Sequence, residues 1–212
     1  MATSSVSSRS ARRAVQLAAG VAAAIAVQLT PAAAAIEDPA VARVDAFDHQ
    51  LLETMKAGPS LGAMGRARKL TPAVDAAFDL PTMTRFAVGP RWAQMTSAQQ
   101  SALVAAFGRL SVANWAHNFD SYGGERFDLD PTAQTRGPDK IVQCKLIPPR
   151  DKPVSLLYRM RQTADGWKIV DVYFNGVSQL TTRRSDFAQP LATGGAAGLL
   201  SHLDASTAKL LR

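Results

Sequence analysis

The chain has 212 residues, of which 47% are hydrophobic, 19% charged and 7% aromatic, a globular composition that excludes a disordered or collagenous chain. Its single cysteine, Cys144, excludes a disulfide framework and any multi-cysteine metal site. The formal charge is +7, but Arg9, Arg12 and Arg13 sit in a first stretch of 35 residues without a single acid; the remainder carries 21 basic and 17 acidic side chains, an excess too mild to indicate a nucleic-acid partner.

Arg9, Arg12 and Arg13 form a positive n-region, Ala14 to Leu29 is an uncharged apolar run, Thr30-Pro31 breaks it, and Ala32 to Ala35 supply small residues for a signal peptidase. The run is shorter than the roughly 20 apolar residues of a comfortable membrane span. The expected organisation is therefore a signal peptide over residues 1–35, cleaved near Ala35, and one domain over residues 36–212 that works outside the cytoplasm. An uncleaved N-terminal anchor is the alternative.

The first half of that domain reads as helices. Asp38-Pro39 is an N-cap followed by proline at the first helical position, and Val44, Phe47, Leu51 and Met55 then share one face. Gly58-Pro59 ends this helix. A short segment from Leu61 to Lys69 is followed by a second start at Thr71-Pro72, an interruption near Leu80-Pro81 and a stop at Gly89-Pro90. Thr96-Ser97-Ala98-Gln99 is a capping box, and the helix behind it is expected to run to about Tyr122. Leu103, Phe107 and Leu110 form its apolar stripe, with Val104, Trp115, Phe119 and Tyr122 widening the arc, as on a helix buried on more than one side.

The second half changes period. Phe127 and Leu129 alternate with charge; Ile141 to Ile147, Val154 to Arg161 and Trp167 to Phe174 are short runs bounded by proline, glycine or aspartate. Asp165-Gly166 signals a hairpin between the last two. A helix from Ser178 to Gln189 should end at Pro190, and another should follow Gly194-Gly195 with Leu199, Leu200, Leu203 and Leu210. Helices, a strand meander and helices again predict an α+β domain, a curved antiparallel sheet of about four strands with helices on one face.

Chemistry-bearing motifs are sparse. His49, His117 and His202 lie far apart, and no metal-ligand, nucleophile-elbow, P-loop or dinucleotide pattern occurs, so no metal or cofactor is expected. Asp128 and Asp130, two apart on a strand, share a face and could form an acid/base pair, although a solvated edge is the commoner reason for such a pair. Asp171, alternating with Trp167, Ile169 and Tyr173, could have a raised pKa and act as a base, but satisfaction by Lys168 or a neighbouring arginine is the simpler reading. Arg183-Arg184 could read phosphate or form a solvated helix face. Cys144 is most simply a small core residue. Large apolar side chains between a wide-arc helix and a sheet suit a core, and also a concave space for an apolar ligand.

Three segments carry a resemblance. Phe78 to Gly124 ("FDLPTMTRFAVGPRWAQMTSAQQSALVAAFGRLSVANWAHNFDSYGG") resembles the helical core of the MlaC-type, or toluene-tolerance auxiliary, proteins. Gly166 to Leu191 ("GWKIVDVYFNGVSQLTTRRSDFAQPL") resembles their last strand and following helix, and Gly195 to Leu203 their C-terminal helix. The Val-Asp-Val strand, Gly176-Val177-Ser178 and "TRRSDF" are most similar to the hopanoid-biosynthesis-associated HpnM branch. The resemblance implies an NTF2-like fold and a non-enzymatic periplasmic carrier of phospholipid or of a hopanoid or isoprenoid lipid. It also implies an inner-membrane ABC transport complex as partner, an outer-membrane lipoprotein complex as a second contact, and transient contact with membranes. The wide apolar arc of the helix from Ser97 to Tyr122, the alternating face of Val154, Leu156, Tyr158 and Met160, and the Val170, Val172 and Phe174 face of the last strand lead to the expectation that Phe107, Leu110, Trp115, Leu156, Tyr158, Met160, Val172 and Phe174 border a lipid cavity, with Trp167, Ile169 and Tyr173 as the rival face of that strand. Two other classes remain open: an NTF2-like isomerase or dehydratase using Asp171 with Tyr158 or Tyr173, favoured by a buried Asp–Tyr pair in the cavity, and an interaction module with a filled core.

Overall fold

The protein's computed structural model describes residues 38–212; the expected signal peptide, with its cleavage point, lies outside the described residues. Helix α1 (Pro39–Ala57) starts as its sequence dictates: the Asp38 carboxylate accepts the Ala40 N–H at 2.9 Å and Pro39 occupies the first turn. A 3₁₀ turn, Gly58–Leu61, leads into α2 (Gly62–Ala77). The expected start at Thr71-Pro72 does not occur, and α2 runs through Pro72. Thr71 bonds backward, its hydroxyl donating to the Ala67 carbonyl instead of capping a new helix, and the fully buried Leu70 and Val74 hold the segment to the core through the proline.

Asp79 caps α3 (Leu80–Val88) by accepting the Thr82 N–H, and its own N–H donates to the Ile169 carbonyl, which ties the helix start to the sheet. A second 3₁₀ segment, Gly89–Gln94, precedes α4 (Ser97–Asn118). Both halves of the Thr96/Gln99 capping box are made. This helix ends at Asn118, earlier than the expected Tyr122. Phe119 leaves the helical conformation, and its ring packs 5.3 Å from that of Trp115 and 6.4 Å from that of Phe127.

The sheet is an open antiparallel meander in the order β1 (Arg126–Arg136), β2 (Asp139–Ile147), β3 (Val154–Thr163), β4 (Gly166–Phe174) and β5 (Val177–Ser178). The four long strands correspond to the expected ones; the two-residue β5 was not foreseen. Two bulges shape the sheet. In β1 the ladder breaks between Leu129 and Ala133, because Pro131 has no N–H to donate, and the Asp130 carboxylate accepts both the N–H and the hydroxyl of Thr132. In β4, Arg159 pairs with Asp171 but Met160 with Ile169, so Val170 is the extra residue. The side-chain alternation therefore flips within β4. Trp167 and Ile169 before the bulge, and Val172 and Phe174 after it, share the face of Leu156, Tyr158 and Met160.

Helix α1 packs on β1, β2 and β4, and α4 lies against α2 and α5. The helices are not confined to one face. Both α3 and α5 (Gln179–Leu210) contact β4, and Phe86 of α3 sits 6.0 Å from the Arg159 guanidinium, on the side of β3 opposite Tyr158. Pro190 does not end α5; the break falls at Gly195 (φ 58°, ψ −145°), a backbone region open essentially to glycine alone. The chain then returns so closely that a Cβ on Gly198 would lie 2.8 Å from the Pro190 carbonyl oxygen.

Candidate functional site

A cavity of about 90 Å³ lies where α3, α4, the end of β4 and the first turns of α5 converge. Its apolar part is Phe78, Met83, Phe107, Trp115, Val172, Phe174 and Leu180; its polar part is Ser111, Asn114, Asn118, Gln179 and Arg183. Helical spacing explains both sets. Phe107, Ser111, Asn114, Trp115 and Asn118 form one stripe of α4, and Gln179, Leu180 and Arg183 one side of α5. The aromatic walls are braced from behind. Trp115 stands 6.0 Å from Phe174, 6.0 Å from Phe78 and 5.0 Å from Phe47, ring centre to ring centre, so α1, α4 and β4 meet in one aromatic cluster.

Of the residues expected at a cavity, Phe107, Trp115, Val172 and Phe174 line this one. Leu110, Leu156, Tyr158 and Met160 do not. They are buried in the core, the three strand residues on β3, where Leu156 and Tyr158 pair with Phe174 and Val172 of β4. The bulge at Val170 turns Val172 and Phe174 to the inner face beside Tyr158 and Leu156, on the strand that adjoins α3 and α5. A second, more open groove of about 520 Å³ runs between α2, α4 and the end of α5, lined by Met64, Ala67, Leu80, Val104, Val112 and Leu211 among others; it does not touch the sheet.

A buried Asp–Tyr pair is present, but it is not the one considered from sequence and not in the cavity. Asp48, on the apolar face of α1, accepts a 2.7 Å hydrogen bond from the Tyr158 hydroxyl and a 3.3 Å one from the Cys144 thiol. Burial drives the Asp48 carboxyl up to about 7, against the opposing effect of these two donors. The same burial and the neighbouring carboxylate push the Tyr158 hydroxyl and the Cys144 thiol well above their ordinary values. None of the three borders the cavity, so they have no access to a molecule bound there. Asp48 escaped the sequence reading although a signal existed: Val41, Val44, Asp48, Leu51 and Met55 follow the three-four spacing of a core stripe, with the acid in its middle.

Sequence favours Lys168 or an arginine as the partner of Asp171, and the structure shows neither there. The Asp171 carboxylate accepts the Ser178 hydroxyl at 2.7 Å and the Leu180 N–H at 3.0 Å, fastening the start of α5 to the sheet. Tyr173 lies two residues on, on the same face as Asp171 and away from the cavity. Asp128 is exposed and Asp130 is engaged by Thr132 within the bulge, so they do not form an acid/base pair. Arg183 and Arg184 separate: Arg183 lines the cavity, whereas the Arg184 guanidinium lies against Gly89. Among the described residues no group of His, Cys, Asp and Glu side chains could hold a metal ion, and no helix is long and apolar enough to cross a membrane.

The family model described as MlaC protein matches residues 45–205. Among solved structures, the chain is similar to a phospholipid-binding protein from Ralstonia solanacearum, determined in complex with a phospholipid. The identity is 27% and the TM-score 0.69, and the match covers 82% of this chain and all of that one.

Proposed function

Since the chain belongs to the MlaC family, we propose that it is a lipid-binding carrier which takes up a phospholipid with its acyl tails between α3, α4, α5 and the end of β4, and performs no chemistry on it. The observation that carries this is the cavity itself: aromatic and aliphatic walls with a polar rim, and no acid–base pair within reach. The similarity to a protein determined with a bound phospholipid supports it.

Physical chemistry makes such a carrier workable. An acyl chain in water costs about 0.8 kcal/mol per exposed methylene, so tails crossing an aqueous space must be enclosed. Bilayer and protein interior are both apolar, so exchange between them runs near balance and an encounter with a donor or acceptor complex can tip it. The cavity must widen to accept a tail, because ligand pockets commonly span roughly 300–1,000 Å³, against about 90 Å³ here. Met83, unbranched and adaptable, and the side chains at the start of α5 are the parts best placed to yield.

The export signal expected over residues 1–35 supports work in the periplasm, where an inner-membrane ABC complex and an outer-membrane lipoprotein complex would exchange lipid with it. A transfer assay tests the function. The chain from Ile36 onward, incubated with donor vesicles carrying labelled phosphatidylethanolamine and with unlabelled acceptors, should speed exchange in proportion to protein concentration. Exchange at the protein-free rate would refute it.

A further inference from the structure

Among the described residues, Arg183 is the only charged one that lines the cavity. It sits one helical turn beyond Gln179 and three residues beyond Leu180, so all three face the cavity from α5. Its single side-chain partner among the described residues is Asp186, at 3.4 Å, in an i,i+3 pair whose side chains are 28% and 44% exposed. Such a pair is long and solvated, and it contributes little. Most of the guanidinium's donors thus have no partner among the described residues, and the Asn118 amide, which also lines the cavity, makes no side-chain hydrogen bond among them either.

An amphipathic ligand resolves this arrangement. Tails against Phe78, Met83, Phe107 and Val172 would leave the polar end of the molecule at Arg183. A guanidinium presents a planar fork of donors that matches two oxygens of a phosphate. A neutral polycyclic or isoprenoid hydrocarbon would instead cover the cation with apolar surface and offer it no acceptor, which is unfavourable. The neighbouring Arg184 supplies no such site, since its guanidinium packs on Gly89. We infer that Arg183 is the specificity-determining residue of the cavity and selects lipids that carry a phosphate ester over neutral lipids with the same tails. This inference rests on the carrier function proposed above.

Calorimetric titration with dioctanoylphosphatidylglycerol and with dioctanoylglycerol, which has the same tails and no phosphate, tests it. The unmodified protein should bind the phospholipid about tenfold more tightly, the size of a charge-assisted contact. Arg183→Ala should abolish that preference, chiefly through loss of phospholipid affinity, and its circular dichroism spectrum and melting temperature show whether the variant is folded. Arg183→Lys should retain part of the preference. Arg184→Ala, which removes the same charge beside the site, should retain all of it. Glycerol 3-phosphate at millimolar concentration should not displace the phospholipid. An unchanged preference in Arg183→Ala, or an equal loss in Arg184→Ala, would overturn the inference and leave the carrier function standing. Displacement by glycerol 3-phosphate would reassign the site to free phosphate esters and overturn it as well. Failure of the unmodified protein to bind either lipid would overturn the carrier function and the inference together.

Discussion

The hydroxyl of Tyr158 donates a 2.7 Å hydrogen bond to the carboxylate of Asp48, joining β3 to α1 inside the core. Asp48 is 3% exposed, and its carboxyl is raised from 3.8 to about 7 by burial. The group therefore binds its proton more tightly in the folded than in the unfolded chain. Its contribution to stability is complete below pH 4 and is lost as the pH rises from about 4 to about 7, by roughly 4 kcal/mol in all. Asp48→Asn mimics the protonated acid. Urea unfolding followed between pH 4.5 and 8 should show stability falling in the unmodified protein and a much flatter profile in the variant, which becomes the more stable of the two at pH 8. Parallel profiles would mean that Asp48 does not titrate in the core.

Tyr158→Phe leaves Asp48 with the Cys144 thiol as its one remaining side-chain donor. The expected cost is about 1–3 kcal/mol, read from denaturant midpoints. Phospholipid binding should stay within twofold, because neither residue lines the cavity. A loss of binding with the fold intact would connect this buried pair to the ligand.

Val172 and Leu156 are near neighbours on the same sheet face but in different surroundings: Val172 lines the cavity, whereas Leu156 is fully buried. Val172→Trp should displace lipid with a small change in melting temperature. Leu156→Trp overfills a packed core and should cost roughly 1–3 kcal/mol or more, with lipid affinity preserved in whatever fraction folds. Melting curves and lipid content measured on the same preparations separate the two; the opposite assignment of effects would move the cavity.

Asp171→Asn weakens the two bonds that hold the start of α5. A destabilisation of about 1–3 kcal/mol is expected for these contacts to a charged acceptor, together with lipid binding within a few-fold. Thermal unfolding and calorimetric titration check this. Loss of turnover of a sterol-like or polyprenyl substrate in a folded Asp171→Asn protein would instead indicate an enzyme.

What could be read in advance was what local chemistry decides. The Asp38 cap, the Thr96/Gln99 capping box and the alternation of β3 appear in the structure because each depends on residues within a few positions of one another. Helix α2 running through Pro72 and α5 through Pro190 was not legible, since packing of distant segments overrides a local breaker. The bulge at Val170 was hidden for a similar reason. Strict alternation along β4 leaves its two faces as equal candidates, and only pairing with β3 shows that Ile169 and Val172 point the same way. That register also brings Val172 and Phe174 to the inner face of β4, the strand that adjoins α3 and α5, whereas Leu156, Tyr158 and Met160 lie on the neighbouring β3, away from those helices. Asp171 looked like a candidate base because its partners, Ser178 and the Leu180 amide, belong to the next element and require the chain to turn back at Asn175-Gly176.

Native mass spectrometry of the protein purified without detergent from bacterial envelope extract tests the central claim most directly. The expected result is a major species heavier than the bare chain by the mass of one diacyl phospholipid, which organic solvent releases and which phosphorus analysis and fragmentation identify. A single species at the bare-chain mass, unchanged after incubation with phospholipid vesicles, would contradict it.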